Sequence, residues 1–260
     1  MTTLEGKVIV VVGGSTGLGL SASRAFAKSG AKVVVVGRNP ENVRLAETEL
    51  GDVCAGLSAD ACSPSTASAA IDLAVDRFGS FTGLYHVAGG SGRRMGDGPL
   101  HEITDEGWAQ TMDLNLSSVF YSNRAAIQWF RQHGVRGSIL NCGSVLGFSP
   151  SAGHFATHAY AAAKSALIGF TRSCAATYAS DGVRFNVVAP GLVATPMSAR
   201  AQGDETILSF ARKKQPLAKA GIGETQDVDG IAVYFMSDNS QGVTGQVMAV
   251  DWGWTVSEGG

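Results

Sequence analysis

Metal-binding signatures are missing from this chain. Its four cysteines, Cys54, Cys62, Cys142 and Cys174, form no Cys-x-x-Cys pair and no Cys/His spacing that would grip a cation, so no metal is expected. Cys142 and Cys174 stand among apolar residues, which points to buried free thiols rather than a disulfide. An excess of either charge is missing too: the formal net charge is −2. No strong field therefore recruits nucleic acid or an anionic membrane. No uncharged apolar run reaches membrane length, and no basic segment followed by a cleavable apolar stretch opens the sequence. The expectation is a soluble, cytoplasmic protein. Glycine is plentiful at 34 residues, but it lacks a Gly-X-Y period, which excludes collagen and suits tight turns between short elements.

What is present is an alternation. With 45% hydrophobic residues over 260 positions the chain can bury a large core. "KVIVVV" (7–12), "KVVVVG" (32–37), 53–57, 84–87, 138–142, 184–188 and 247–250 read as short apolar strands. Helical patterns fill 20–28, 41–50, 65–78, 108–132 and 160–178. Strands apolar on both faces and alternating with helices predict α/β architecture: a doubly wound, Rossmann-like parallel sheet with helices on both faces. No repeat or linker divides residues 1–260, so a single domain is expected. The stretch 197–223 reads as a helical flap before the last helix–strand unit, and a substrate flap is expected at about 191–221.

"VVVGGSTGLG" sets Gly13, Gly17 and Gly19 between the first strand and the first helix. Small residues there let backbone approach a pyrophosphate, whose charge is favoured by the helix N-terminus. The strand-before, helix-after context favours dinucleotide binding over a plain tight turn. "YAAAK" puts Tyr160 and Lys164 on one helical face, four residues apart. A phenol titrates near pH ~10, and a nearby ammonium lowers that value, as a general acid/base requires.

In order along the chain stand Gly13-x-x-x-Gly17-x-Gly19, Asp60, Ala88-Gly89, Asn115, Ser144, Tyr160-x-x-x-Lys164 and Pro190-Gly191. This set resembles the short-chain dehydrogenase/reductase family over nearly the whole length. The resemblance implies an NAD(P)-dependent oxidoreductase that interconverts a carbonyl and an alcohol by hydride transfer. Tyr160 would be the general acid/base and Lys164 would also hydrogen-bond the nicotinamide ribose. Ser144 would bind the substrate oxygen, and Asn115 would disturb its helix and hold a water in a proton relay. Read alone, Ser144 in a Gly-containing turn is structural and Asn115 is a solvent-facing residue. Cofactor contacts would come from Gly13, Ser15, Thr16, Gly17, Leu18 and Gly19. Arg38, Asp60, Ala61, Ala88 and Gly89 would add to them, as would Tyr160, Lys164, Pro190, Gly191, Val193 and Thr195.

The second strand ends at Gly37-Arg38 where an acid would select NAD(H). A guanidinium can instead pair with a 2′-phosphate, so NADP(H) is favoured with NAD(H) possible; alternatively Arg38 stacks on the adenine or faces solvent. Asp60 fits an adenine contact or a turn cap.

Three features depart from the family pattern. Val12 stands where the family has Thr. His86-Val87 replaces Asn-Asn, so a polar link to residue 12 is lost from both sides, and His86 is a candidate to restore a hydrogen bond. Trp252 stands at a usually small position; with Trp254 it suits an interface or core anchor. Arg93 and Arg94 could meet an anionic substrate or the pyrophosphate, or be solvated. His154 and His158 fall in a rim segment slightly longer than usual, where His158 suits a substrate or structural contact. By resemblance, the 108–132 and 160–178 helices and the C-terminal segment would build a homotetramer (or homodimer) acting on a small molecule. A cofactor-binding sensor or scaffold without turnover is the alternative of a different class. Within the enzyme class a C=C reductase is the other option.

Overall fold

In the computed structural model, which describes residues 3–258, the strands pack into one sheet of seven, all parallel. They are β1 (Val8–Val12), β2 (Lys32–Gly37), β3 (Cys54–Ser58), β4 (Gly83–His86), β5 (Ser138–Cys142), β6 (Arg184–Pro190) and β7 (Val247–Val250). Their spatial order is β3-β2-β1-β4-β5-β6-β7. The chain winds outward from β1 to β3, then crosses back to β4 on the other side of β1. That reversal leaves a crevice beyond the carboxyl ends of β1 and β4.

The helices are α1 (Gly17–Lys28), α2 (Pro40–Leu50), α3 (Thr66–Phe78), α4 (Asp105–Met112), α5 (Ser118–His133), α6 (His158–Tyr178), α7 (Ala199–Gln202), α8 (Glu205–Lys214) and α9 (Asp229–Met236). Strand alternation sends side chains to two cores. Ile9, Val11, Val33, Val35 and Tyr85 pack with Phe26 of α1 and Phe235 of α9. Val10, Val12, Val34, Val36 and Leu84 pack with Ile71 of α3 and Phe130 of α5. Both faces are covered, as a parallel sheet requires.

Several boundaries differ from the sequence pattern for identifiable reasons. Helix α1 begins at Gly17, three residues before 20, because the poor helix former Gly19 is needed where it packs. A Cβ there would lie 2.0 Å from the Gly13 carbonyl oxygen. The expected 108–132 helix is two helices joined by a π-helical turn, Asp113–Ser117. Asn115 Nδ2 donates to the Thr111 carbonyl at 2.9 Å and so competes with the regular ladder. The span 197–223 is helical only in part: it holds α7 and α8, and residues 215–223 beyond Lys214 form turns. Cys142 is buried, but Cys174 is only half-buried, because it sits beside rather than on the inward stripe of α6 that carries Ala175. All four cysteines are free thiols.

Trp254 is a core anchor. It is fully buried, its Nε1 donates to the Ser149 carbonyl at 3.2 Å, and its ring packs on Phe155 and Phe210. Trp252 has φ +52 and its ring covers Gly223, where a Cβ would lie 2.0 Å from it.

Candidate active site

The crevice at the sheet's reversal is a cleft of about 630 Å³. Its floor is the glycine loop, with Gly13, Ser15, Thr16, Gly17 and Leu18 in the lining. Gly13 has φ +86, and a Cβ there would meet the Ala88 amide nitrogen at 2.6 Å, so only glycine lets the loop lie against the end of β4. Thr16 stands at the N-cap of α1 but makes no side-chain cap, and the first turn holds no acid. The α1 amides are thus left to an anion such as a pyrophosphate. Gly19 does not line the cleft; it packs behind the loop.

One end of the cleft is formed by Gly37, Arg38, Asp60 and Ala61. A Cβ at Gly37 would lie 2.1 Å from Ser15 Oγ, so an acid at the end of β2 has no room without moving the loop. Arg38 is exposed and borders the cleft. Asp60 also serves as a turn cap: its Oδ1 accepts from the Cys62 amide at 3.0 Å.

At the other end Ser144, Tyr160 and Lys164 converge. Ser144 follows β5 by two residues, and its Oγ accepts from the Leu146 amide at 3.2 Å. Tyr160 and Lys164 project from the first turns of α6. Lys164 Nζ donates to the Cys142 carbonyl at 2.7 Å and lies 5.6 Å from the Tyr160 ring centre. Burial pushes the Tyr160 phenol above its ordinary value; the Ser144 hydrogen bond opposes this and the Cys142 thiol adds to it. Burial also lowers Lys164, with Cys142 acting the other way. Burial is the largest influence on the phenol here, and the Lys164 ammonium stands 5.6 Å from its ring centre.

Asn115 does not line the cleft but stands behind its wall. Its amide exchanges two hydrogen bonds with Gly90, Nδ2 to the carbonyl at 2.9 Å and Oδ1 from the amide at 3.1 Å. A Cβ on Gly89 would lie 2.9 Å from Asn115 Oδ1 and 3.5 Å from Lys164 Nζ, so these three groups meet at one point. Ala88 and Gly89 line the cleft, as do Pro190, Gly191, Val193 and Thr195. Thr195 also faces the glycine loop, 3.5 Å from where a Gly17 Cβ would be.

The departures from the family pattern have definite places. Val12 is fully buried, and its carbonyl accepts from the Val87 and Ala88 amides at 2.8 and 2.9 Å, so backbone keeps the glycine loop tied to β4. His86 bonds α5 rather than residue 12, with Nδ1 2.9 Å from Ser122 Oγ and Nε2 3.2 Å from Ser118 Oγ. Arg94 lines the cleft, whereas Arg93 donates to the His154 carbonyl at 2.8 Å. His158 is exposed and lies outside the lining.

Two residues at the site escaped the sequence reading. Buried Gln215 accepts from the Leu192 amide at 2.5 Å and donates to the Leu192 and Gly221 carbonyls at 3.1 and 3.2 Å, tying both ends of the 191–221 segment together. Buried Asp97 accepts from the first turn of α6. Neither belongs to a local motif. Among the described residues no group of three or more His, Cys, Asp or Glu is placed to hold a metal, and no helix is long and apolar enough to cross a membrane.

Comparison with known proteins identifies the family. Residues 12–255 match the sequence profile described as enoyl-(acyl carrier protein) reductase. A 3-alpha-(or 20-beta)-hydroxysteroid dehydrogenase of Mycobacterium bovis is 34% identical over 96% of this chain and 90% of its own length. An NADP-dependent (R)-specific alcohol dehydrogenase of Lentilactobacillus kefiri is 34% identical over 97% and 98%. The structure of a short-chain type dehydrogenase/reductase from Mycobacterium ulcerans superposes with TM-score 0.89 at 28% identity, covering 98% of this chain and 92% of that one. The chain therefore belongs to the short-chain dehydrogenase/reductase family and is an NAD(P)-dependent oxidoreductase acting on CH–OH and C=O groups.

Proposed function

We propose an NADP(H)-preferring carbonyl reductase/alcohol dehydrogenase in which Tyr160 is the general acid/base. The observation that carries this reading is the convergence of Ser144, Tyr160 and Lys164 in the same cleft as the glycine loop. The open α1 amides, the glycine cradle at Gly13 and the lining residues fit a dinucleotide. When bound it supplies the hydride in reduction and accepts it in oxidation. Ser144 hydrogen-bonds the substrate oxygen and stabilises its developing charge. Tyr160, a phenol protonated near neutral pH, donates its proton to that oxygen and recovers it in the reverse direction. Lys164, held by the Cys142 carbonyl, places a positive charge beside the phenolate that this leaves. Asn115 fixes Gly90, and through it the wall next to Lys164.

The cofactor preference rests on Arg38 at the cleft and on the lack of room for an acid at Gly37. Met95, Leu114, Leu192 and Met197 line the cleft and suit an apolar substrate body beneath a flap at 191–221. Cytoplasmic residence is proposed on the four free thiols. Homotetramer assembly is proposed on the exposed apolar side chains Phe120 of α5 and Met248 and Val256 of the C-terminal segment.

The test is product analysis with NADPH and a panel of ketones, aldehydes and enones. The reading expects alcohols from the carbonyl compounds, with enones reduced at the carbonyl group to allylic alcohols. Saturated ketones from enones, with simple ketones untouched, would contradict it.

A further inference from the structure

The first turn of α6 is capped from an unexpected place. A helix leaves its first four N–H groups without helical partners, and the N-cap side chain usually serves one of them. Thr157 occupies that position but caps nothing; its hydroxyl donates to the Phe155 carbonyl at 3.3 Å. Asp97 does the work instead, from the loop after β4. One of its carboxylate oxygens accepts from the Ala159 amide at 3.0 Å, and the other accepts from the Tyr160 amide at 2.9 Å. Asp97 is 5% exposed and in no ion pair among the described residues. The positive end of α6 offsets its charge.

The loop presenting Asp97 is itself fixed. The Gly92 carbonyl accepts from the Met95 and Asp97 amides at 2.8 and 3.1 Å, closing a compact turn. Gly92 has φ +74, and a Cβ on it would lie 2.4 Å from Thr111 Oγ1 and 2.7 Å from the Asp97 Cβ, so the turn is wedged against α4. Arg94 and Met95 of the same turn face the cleft. One turn further along, α6 rests on Gly147, where a Cβ would lie 2.8 Å from the Lys164 carbonyl carbon. The helix is therefore gripped at Tyr160 by Asp97 and at Lys164 by Gly147.

We propose that Asp97 is a positioning residue for the reaction: its two hydrogen bonds set the backbone of Tyr160, and hence the phenol, relative to Ser144 and the bound cofactor. The proposal rests on the assignment of Tyr160 as acid/base. It explains why a buried acid stands in a glycine-rich loop that otherwise reads as a surface turn. Asp97 touches neither the substrate nor the cofactor in this role; it acts through Tyr160.

The test compares wild type, Asp97→Asn, Asp97→Ala and Tyr160→Phe in the full chain. Asn keeps one acceptor oxygen, and Ala keeps none. NADPH titration counts folded sites, and kcat is expressed per site. The expected result is a fall in kcat of about 10- to 100-fold for Asp97→Ala. The fall in Asp97→Asn is smaller, with NADPH Kd and substrate KM within about twofold of wild type in both. Amide hydrogen exchange at Ala159 and Tyr160 should quicken in Asp97→Ala while the α5 core amides stay protected. Exchange needs no substrate, so it tests Asp97 even if the carbonyl reading fails, and Tyr160→Phe tests that reading separately. Wild-type kcat per site in Asp97→Ala overturns the proposal. So does unchanged exchange at both amides, or a loss of kcat only in proportion to lost cofactor binding.

Discussion

His86 stands where the family carries a polar residue near the glycine loop, yet its two ring nitrogens are met by Ser118 and Ser122 on α5. The two serines are one helical turn apart and so face it together. Burial, reinforced by the charge of Lys164, pushes the imidazole down to about 3; a backbone hydrogen bond at Ala88 opposes the shift weakly. An unfolded histidine binds a proton near pH ~6.5. Folded His86 does not until about pH 3. Its contribution to stability is thus intact above the unfolded value and is lost as pH falls from there towards the folded one. Asp229, raised to about 6 mainly by burial, has the opposite sign and loses its contribution as pH rises. A raw stability curve mixes the two, so the difference between wild type and His86→Gln is the informative quantity. Chemical denaturation at several pH values should show that difference falling by about 1.4 kcal/mol per unit as pH drops below 6.5. A constant difference would mean that His86 is protonated in the native state.

The π turn between α4 and α5 shows how a local defect becomes a structural joint. Asn115 gives up helical regularity to bond Thr111 and both backbone groups of Gly90. Asn115→Ala leaves those buried groups without partners. It should destabilise the fold by about 1–3 kcal/mol and lower kcat through the loosened wall beside Lys164, as read by urea melts and steady-state rates. A variant as stable and active as wild type would show that the Gly90 contacts carry nothing. The pattern alone reads 108–132 as one helix, and only the family resemblance implied a local disturbance at Asn115. Strand and helix identities were legible because periodicity is local. The partners of Asp97 and Gln215 were not. Asp97 caps a helix 62 residues away, and Gln215 bridges to Leu192 across 23 residues. No spacing rule links such pairs; only the fold brings them together. His86 was half legible, in that a polar replacement was visible but its serine partners were not.

For the molecule as a whole, the reversal of strand order at β1 and β4 decides where everything happens. It gathers the loops after β1, β2, β3, β4, β5 and β6 into one cleft. A ligand seated there touches segments from most of the chain, so binding should stabilise the whole fold. At 100 times Kd the gain is about 2.7 kcal/mol, or about 5–10 °C in Tm for a chain of this size. Thermal melts should show a larger shift with NADPH than with equal NADH if the proposed preference holds, because Arg38 borders the cleft and a guanidinium can pair with a 2′-phosphate. Equal or reversed shifts would remove the basis for the NADP(H) preference.

The central claim is that Tyr160 moves the proton, and it is tested most directly by kcat and NADPH Kd in Tyr160→Phe. Loss of the hydroxyl removes the proton donor but leaves the ring, α6 and the cleft. The account predicts a fall in kcat of at least about 10²-fold with cofactor binding intact. Near-normal turnover in Tyr160→Phe would contradict it.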